Sequence, residues 1–541
     1  MQDIISMRDF SKEEIIAVLD AAEEVKKAIH HQFSYGNEFK NKHGRDVRSL
    51  LKGLKIAALF LENSTRTNFS FRAAAGTAGG FVDGFPTQAH TSLKKGETWA
   101  DTAGMFAGYG YDALVIRSTE EGLPRWTKEF LEENYKQIKA QHQKFNLPFN
   151  YKVPLIINGG DGKNQHPTQC FLDLFTMREI ARAHGKELEG LNISLLNDLK
   201  HGRTNASLMS VAHLFNFKLH FAYPNRFGPD ESVLENLKRR NVETHDYHNN
   251  FPAAMKASFI AYHSRPQKER VGKGEYLESI KKIGQITKIM YDQMGGKAPF
   301  LMHPLPVDAE TFAEISHDMR DHPKNVTKLQ SSNGLYVRIA LLALGLGRMQ
   351  TNYPLSEKKE LQDMTIKEIP VSSEKKKLEN PRSGYIEGDG VVLDHIPLGI
   401  GRRLAGVLGF ENKNLPKVIS DFMSRYKDKE PIKDMIKLYC AYDFSQEQLQ
   451  AIGLLAPSTT ISIVKDCLAV KKFEVSLGNY IKGRVKCSNP ACITNVKKEN
   501  LPPKHYVEKT NEETLLICQY CEKTDTVKQA YEENRFIYIG D

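Results

Sequence analysis

The amino-acid sequence predicts an α/β chain of two doubly wound parallel-sheet domains, followed by an α+β domain and a small cysteine-rich ribbon domain. Three observations lead there. Short apolar runs alternate with helical patterns over the first two-thirds of the chain. The composition shifts near Gln350 towards charge and proline. Four cysteines in two close pairs lie near the C-terminus.

A chain of 541 residues is too long for one core, and 40% hydrophobic with 26% charged residues is an ordinary globular balance. Ser11 can cap a helix reaching about His30, with Glu14 three residues on completing a capping box. Seven apolar runs follow: Ile56 to Leu61, Ala113 to Ile116, Val153 to Ile157, Ile193 to Leu196, Leu219 to Tyr223, Phe259 to Tyr262 and Phe300 to Met302. Each fits a strand buried on both faces, and helical patterns such as Gln169 to His184 and Asn205 to Phe215 lie between them. This alternation implies parallel sheets, in which ligands bind just beyond the C-terminal ends of the strands. Domains are expected over residues 1–150 and 151–349, the last helix (about 333–349) packing back on the first domain. Charge-rich, proline-punctuated residues 350–382 read as a linker. Shorter elements over 383–479 read as α+β, and residues 480–541 hold the paired cysteines.

The start of the chain lacks a basic segment followed by an apolar run, which predicts no secretory signal, and no stretch approaches the ~18 apolar residues of a membrane helix. With only seven cysteines, four of them clustered, a cytoplasmic protein with one metal site is expected rather than a disulfide scaffold. The formal charge of +9 suits anionic small molecules or nucleic acid, and equally a solvated basic surface. The lysines are scattered and no aromatics interleave with a basic stripe, so nucleic acid is not expected as a partner.

The candidate chemistry lies after the runs. Ser64-Thr65-Arg66-Thr67 precedes a helical pattern, placing three hydroxyls and a guanidinium at a helix N-terminus, where free N–H groups and the dipole favour an anion. Alone, such a quartet also fits a capping loop. Arg117 ends the second run, and one arginine there also fits a simple ion pair. His166 precedes Pro167, which suits a first helical position, and could hydrogen-bond a carbonyl oxygen that gains charge. Asp198 to Thr204, His263 to Gln267 and His303 to Pro306 follow later runs. Each is weak alone; together they set basic and amide groups where two anionic substrates could meet. Cys487 and Cys492 have four residues between them, Cys518 and Cys521 two. Two close pairs across a longer loop suit one tetrahedral structural zinc ion, about one per chain, with no open ligand position.

In order and spacing, Ser64 to Thr67, Thr91 to Thr98, Arg117, His166 to Gln169, Asp198 to Thr204, Arg265 to Arg270 and His303 to Pro306 resemble the transcarbamoylases, in the version of the aspartate carbamoyltransferases, over about residues 1–350. The resemblance implies a carbamoyl-phosphate domain followed by an aspartate domain. By it, Ser64, Thr65, Arg66 and Thr67 cradle the phosphate of carbamoyl phosphate. Arg117 and His166, helped by Thr67, hold its carbonyl oxygen, and Gln169 meets the carbamoyl amine. Arg203, Arg265 and Gln267 bind the carboxylates of L-aspartate, and the backbone around Leu305 accepts from the amine groups. Glu62, Arg203 and Arg270 link the two catalytic domains. Ser92 and Lys95 reach into the neighbouring subunit's site, which implies a homotrimer. No cofactor or metal serves catalysis. Three features depart from the family pattern: a charged stretch, about Glu129 to Asn150, that reads as an insertion; Val307, where arginine is usual; and Arg72, where an acid is common.

Residues 384–541 resemble the regulatory chain of the same family through Val391 to Pro397 and Cys487 to Ile493. That likeness implies a nucleoside triphosphate effector site around Asp394, Lys437 and Lys472, and pairing of regulatory domains that would join two trimers. The strand leading to Asp394 lacks the usual lysine, and Ser462 stands where asparagine is common. An ornithine carbamoyltransferase shares the phosphate site but usually carries cysteine in its His-x-Leu-Pro loop, where Pro304 stands here. A non-catalytic zinc-containing scaffold is the reading from another class, and the intact arginines argue against it.

Overall fold

Strand β1 (Lys55–Phe60) carries five buried residues in a row, a pattern satisfied only by a strand with neighbours on both sides and cover on both faces. In the computed structural model β1 lies between β2 (Phe81–Phe85) and β3 (Ala113–Ser118), and β4 (Leu155–Asp161) follows β3, all parallel. The structure describes residues 3–31, 34–149, 151–224, 226–266, 285–307, 314–350, 361–362, 365–371, 386, 388–410, 415–422, 433–457, 459–510 and 513–537.

The second parallel sheet comprises β5 (Asn192–Asn197), β6 (Lys218–Ala222), β7 (Thr244–Asp246), β8 (Ile260–Ser264) and β9 (Phe300–Met302), in the order β7-β6-β5-β8-β9. Each sheet reverses its winding beside its first strand, between β1 and β3 and between β5 and β8. Such reversals open a crevice at the strands' C-terminal ends. The sequence reading found neither β2 nor β7: Phe81 is exposed in β2, and β7 is exposed throughout, so neither shows an apolar run.

Two boundaries differ from the sequence expectation. β4, expected in the segment 151–349, pairs with β3 and belongs to the first sheet; the charged stretch before it resembles a boundary but is helical. That stretch continues the helix Leu123–Lys144, and Phe149 folds back onto Tyr135 and His142, with centroids 5.3 and 5.5 Å apart. Within the expected linker 350–382, the residues of β10 (Thr365–Ile369) pair antiparallel with a later strand. Its Thr-Ile-Lys-Glu-Ile pattern shows no alternation, because an edge strand is held by backbone hydrogen bonds more than by an apolar face. Most of the remaining linker lies outside the described residues, as do Gly384, Tyr385 and Glu387 of the segment leading to Asp394.

The helix Lys12–His30 begins with the expected capping box: Ser11 Oγ accepts from Glu14 N (3.2 Å) and Glu14 Oε2 from Ser11 N (2.8 Å). The helix Thr327–Gly345 packs against Lys12–His30, Thr65–Thr77 and Pro167–Ala183. One apolar cluster runs from Ile4 to Met349 and takes in strands of both sheets, so the two sheet domains share a core.

The chain divides near residue 357 into two compact units. In the second, the order is β10-β15-β14-β11-β13-β12, with β11 (Gly390–Pro397), β12 (Lys417–Phe422), β13 (Lys433–Leu438), β14 (Thr460–Lys465) and β15 (Leu468–Ser476) all antiparallel. Leu404 and Ile452, from the helices Gly401–Val407 and Gln446–Leu455, pack with Val391, Leu393 and Ile436. A small antiparallel sheet follows, of β16 (Tyr480–Lys482), β17 (Lys504–Lys509), β18 (Thr514–Cys518) and β19 (Thr524–Thr526). Val485, Val507, Leu516 and Phe536 join the same cluster, so the two parts of this unit also share a core. Among the described residues no helix is long and apolar enough to cross a membrane.

Leu342 is fully buried in the helix that ties the first unit together. Leu342→Ala is expected to cost about 2–5 kcal/mol through lost burial and a residual cavity, read as a lower urea midpoint of the first unit's transition.

Candidate active site and metal centre

A cavity of ≈450 Å³ lies where the C-terminal ends of both parallel sheets meet. The first sheet supplies Glu62 to Thr67 after β1, Arg117 at the end of β3, and His166 and Gln169 after β4. The second supplies Gly202 to Thr204 after β5, Ser264 and Arg265 at the end of β8, and His303 to Pro306 after β9. Ten of the predicted residues, Ser64, Thr65, Arg66, Thr67, Arg117, His166, Gln169, Arg203, Arg265 and Leu305, thus line one space. Ser92 and Lys95 do not: they stand exposed on the turn Ser92–Lys95, outside the cavity of their own chain. Gln267 and Arg270 lie outside the described residues.

The cavity wall holds five arginines, at 66, 117, 203, 265 and 338, against one carboxylate, Glu62. Such an excess of cations around one cavity favours an anionic occupant. Glu62 accepts from both terminal nitrogens of Arg203, at 2.9 and 3.2 Å, and lies 3.5 Å from Arg117. This pair joins a loop of the first sheet to the first residue of the helix Arg203–Val211 after β5. Arg203 also donates to Gly162 O (3.0 Å), and Arg117 to Gly159 O (3.0 Å). Gly160, with φ +112°, lets both guanidinia pass: an added Cβ would lie 2.9 Å from Arg117 Nη1 and 3.2 Å from Arg203 Nε.

Ser64 is the N-cap of the helix Thr65–Thr77, and its side chain makes no capping bond. Arg66 forms no ion pair among the described residues, and burial holds its guanidinium below the usual value. Burial, reinforced by Arg117, Arg203 and Arg338, holds His166 well below the usual imidazole value, so the ring is neutral. His166 N donates to Ser207 Oγ (3.0 Å), and Thr67 Oγ1 lies 3.4 Å from Nε2. A neutral imidazole, several guanidinia and a helix N-terminus around one space can hold a phosphate and polarise an adjoining carbonyl.

The sequence reading missed Arg338, Ser70 and Gln330. Arg338 sits 3% exposed in the apolar helix Thr327–Gly345, donating to Ser70 Oγ (2.9 Å) and stacking on Phe71. The signal was present: an arginine inside an apolar run is costly unless something pairs with it.

The four cysteines converge. All four Sγ atoms lie within 4.8 Å of one another, with Cys487 to Cys521 at 3.5 Å and Cys492 to Cys518 at 3.7 Å. Thiolate–metal bonds of about 2.3 Å set tetrahedral sulfurs about 3.8 Å apart, so the donor set fits one metal ion. Asn495 braces the turn by donating to Cys487 O and Asn489 O.

On the sheet of the second unit, strand register sets Lys472 beside Ser462, Ser462 beside Val392 and Val392 beside Lys437. Directly opposed residues share a face, so both lysines stand on one face. Asp394, two residues beyond Val392, pairs with Lys433 at 2.9 Å. Burial works to raise this carboxyl, while Lys433 and the His395 amide outweigh it and hold it below its usual range. Burial lowers the Lys437 ammonium.

Comparison with known proteins draws these features together. Residues 2–179 match the aspartate/ornithine carbamoyltransferase carbamoyl-P binding domain, and 189–344 the Asp/Orn binding domain. The aspartate carbamoyltransferase catalytic subunit of Thermococcus onnurineus is 35% identical over 64% of this chain and 98% of its own. The chain belongs to the aspartate carbamoyltransferase family. Its later residues match the regulatory chain of that family, the allosteric domain at 386–476 and the metal binding domain at 479–530. Catalytic and regulatory parts of a carbamoyltransferase are therefore joined in one polypeptide, as in Protein PyrBI of Treponema denticola, 28% identical over 97% of both chains. Among solved structures, the catalytic subunit of Methanocaldococcus jannaschii aspartate transcarbamoylase is 32% identical and covers 63% of this chain and 97% of its own, with a TM-score of 0.51.

Gly160→Ala is expected to shift the Arg117 and Arg203 guanidinia and to lower kcat/KM in steady-state kinetics, with calorimetry showing inorganic phosphate binding less affected. Titrating the thiols of the folded protein with a mercurial is expected to release about one metal ion per chain and to lower the melting temperature of the second unit.

Proposed function

We propose that this carbamoyltransferase moves the carbamoyl group of carbamoyl phosphate onto L-aspartate, giving N-carbamoyl-L-aspartate and phosphate, the step of de novo pyrimidine synthesis that its family implies. One observation carries the reading: four arginines from beyond the C-terminal ends of both sheets, Arg338 from the helix Thr327–Gly345 and the buried His166 converge around one cavity. In this reading the phosphate rests on the helix N-terminus at Ser64 to Thr67 and on Arg66. Thr67, Arg117 and His166 hold the carbonyl oxygen. The aspartate amine attacks the carbonyl carbon, the oxygen gains charge against these donors, and the C–O bond to phosphate breaks. Such catalysis consists of positioning and of stabilising developing charge, so a cationic wall with one carboxylate suits it.

Arg265, with Gln267, receives the aspartate carboxylates. Arg203 does so once a substrate carboxylate competes with Glu62; in the structure it bridges the two sheets. Ser92 and Lys95, exposed and outside their own cavity, complete the site of a neighbouring subunit in a homotrimer. The metal of the four cysteines is zinc, held structurally because four protein sulfurs fill its coordination. Nucleoside triphosphates bind the sheet face of Asp394, Lys437 and Lys472, and the regulatory domains pair to join two trimers in the cytoplasm.

The deciding experiment is carbamoyl transfer with L-aspartate and L-ornithine side by side. Product from aspartate alone supports the reading; transfer to ornithine alone replaces it with the ornithine reaction. Arg66→Ala is expected to lower kcat/KM by about 10²–10³ while the protein stays folded; near-normal turnover would sink the phosphate-site assignment. With His166 neutral across the range, kcat/KM is expected to show no loss around pH 6.5 from protonation of this ring.

A further inference from the structure

Asp173 lies one helical turn beyond Gln169 in the helix Pro167–Ala183, fully buried and just behind the cavity wall. Its Oδ1 accepts from Gln169 Nε2 (2.9 Å) and from Gln330 Nε2 (2.7 Å), and its Oδ2 from the Tyr262 hydroxyl (2.8 Å). Three segments distant in sequence therefore meet on one carboxylate: the helix after β4, strand β8, and the helix Thr327–Gly345.

A primary amide has a donor end and an acceptor end, and an oxygen that only accepts decides which end it meets. Burial pushes the Asp173 carboxyl up to about 7, and Oδ1 still only accepts when a proton rides on Oδ2 beside the Tyr262 hydroxyl. Asp173 draws the NH₂ ends of both glutamines to itself. Gln330 then has its Oε1 free to accept from His303 N (2.8 Å), which ties down the start of the loop carrying Leu305. Gln169 lines the cavity, and with its nitrogen held by Asp173 its carbonyl oxygen is the end left for the cavity. An oxygen there accepts an N–H and repels another acceptor.

We propose that Asp173 is a positioning residue that sets the polarity of Gln169, so that the site selects an acyl phosphate bearing N–H over one that lacks it. The inference rests on the carbamoyl-transfer reading above. A carbamoyl group offers an NH₂ to Gln169 Oε1; an acetyl group of the same shape offers a methyl group, leaving that oxygen without its bond. Tyr262 and Gln330 serve the same end by holding the carboxylate in one rotamer.

The experiment compares carbamoyl phosphate as substrate with acetyl phosphate as competitive inhibitor, in the full chain and in Asp173→Leu and Asp173→Asn. Leucine keeps the volume without any acceptor, whereas asparagine keeps an oxygen that can take the place of Oδ1. In Asp173→Leu the ratio of acetyl phosphate Ki to carbamoyl phosphate KM is expected to fall about five- to tenfold, the worth of one oriented hydrogen bond. In Asp173→Asn it is expected to stay within about twofold of the parent. An unchanged ratio in a folded Asp173→Leu, or asparagine as damaging as leucine, overturns the proposal, the latter by showing that charge rather than amide polarity matters. Should Asp173→Leu fail to fold, the smaller Asp173→Ala takes its place with the same expected fall of about five- to tenfold, an unchanged ratio there overturns the proposal, and the asparagine arm keeps its own expectation. A parent chain that fails to carbamoylate aspartate instead refutes the underlying reaction, so the two failures are distinct.

Discussion

Five guanidinia face one cavity with a single carboxylate among them, and the arrangement holds together because Glu62 meets two of them at once. Its forked bond to Arg203 and its approach to Arg117 join the loop after β1 to the helix after β5. Partly buried charges gain little from a pair made in water, but losing one partner inside the protein strands the other at a cost of about 3–5 kcal/mol. The Glu62 bridge therefore fixes where the two sheets face each other more than it adds stability. Around it, Gly160 leaves room for both arginines, and Asp161 anchors the loop that carries His166. Burial pushes the Asp161 carboxyl up to about 7, while hydrogen bonds from Asn158, Asn164 and the Gly122 amide work against that rise.

The placement of the site follows from topology. Each parallel sheet winds outward from its first strand in both directions, and each reversal leaves a crevice at the C-terminal ends. Residues on six loops, separated by more than 200 positions, reach a common space. The helix Thr327–Gly345 closes the assembly from behind, delivering Arg338 and Gln330 to the wall while its apolar residues join the shared core.

In the second unit, one continuous core spans the antiparallel sheet and the cysteine ribbon. A domain of some sixty residues buries little apolar surface of its own; here the four-sulfur cluster and the shared core supply what its size denies it. On the same sheet, register sets Lys437 and Lys472 on one face, with Lys437 buried beside Val392.

Much of this was legible in the residues. Apolar runs marked seven strands because doubly covered strands need no polar side. Ser11 with Glu14 marked a helix start, and paired cysteines marked a metal site, because their partners are close in sequence. The order of Ser64 to Thr67, Arg117, His166, Arg203 and Arg265 disclosed the cavity through likeness to a family; no one of these motifs would have done so alone. What the sequence could not show depends on partners far along the chain. β2 and β10 lie at sheet edges, held by backbone bonds that leave no side-chain pattern. β4 sits in the first sheet because β3 is there to pair with it. Arg338 joins the wall only because its helix packs on Ser70, 268 positions away, and Asp173 meets Gln330 only because helices bring together residues 157 positions apart. The sequence by itself determined which residue types and local elements the protein has. Tertiary structure alone decided which charges share a space, because that depends on distances that local preferences do not encode.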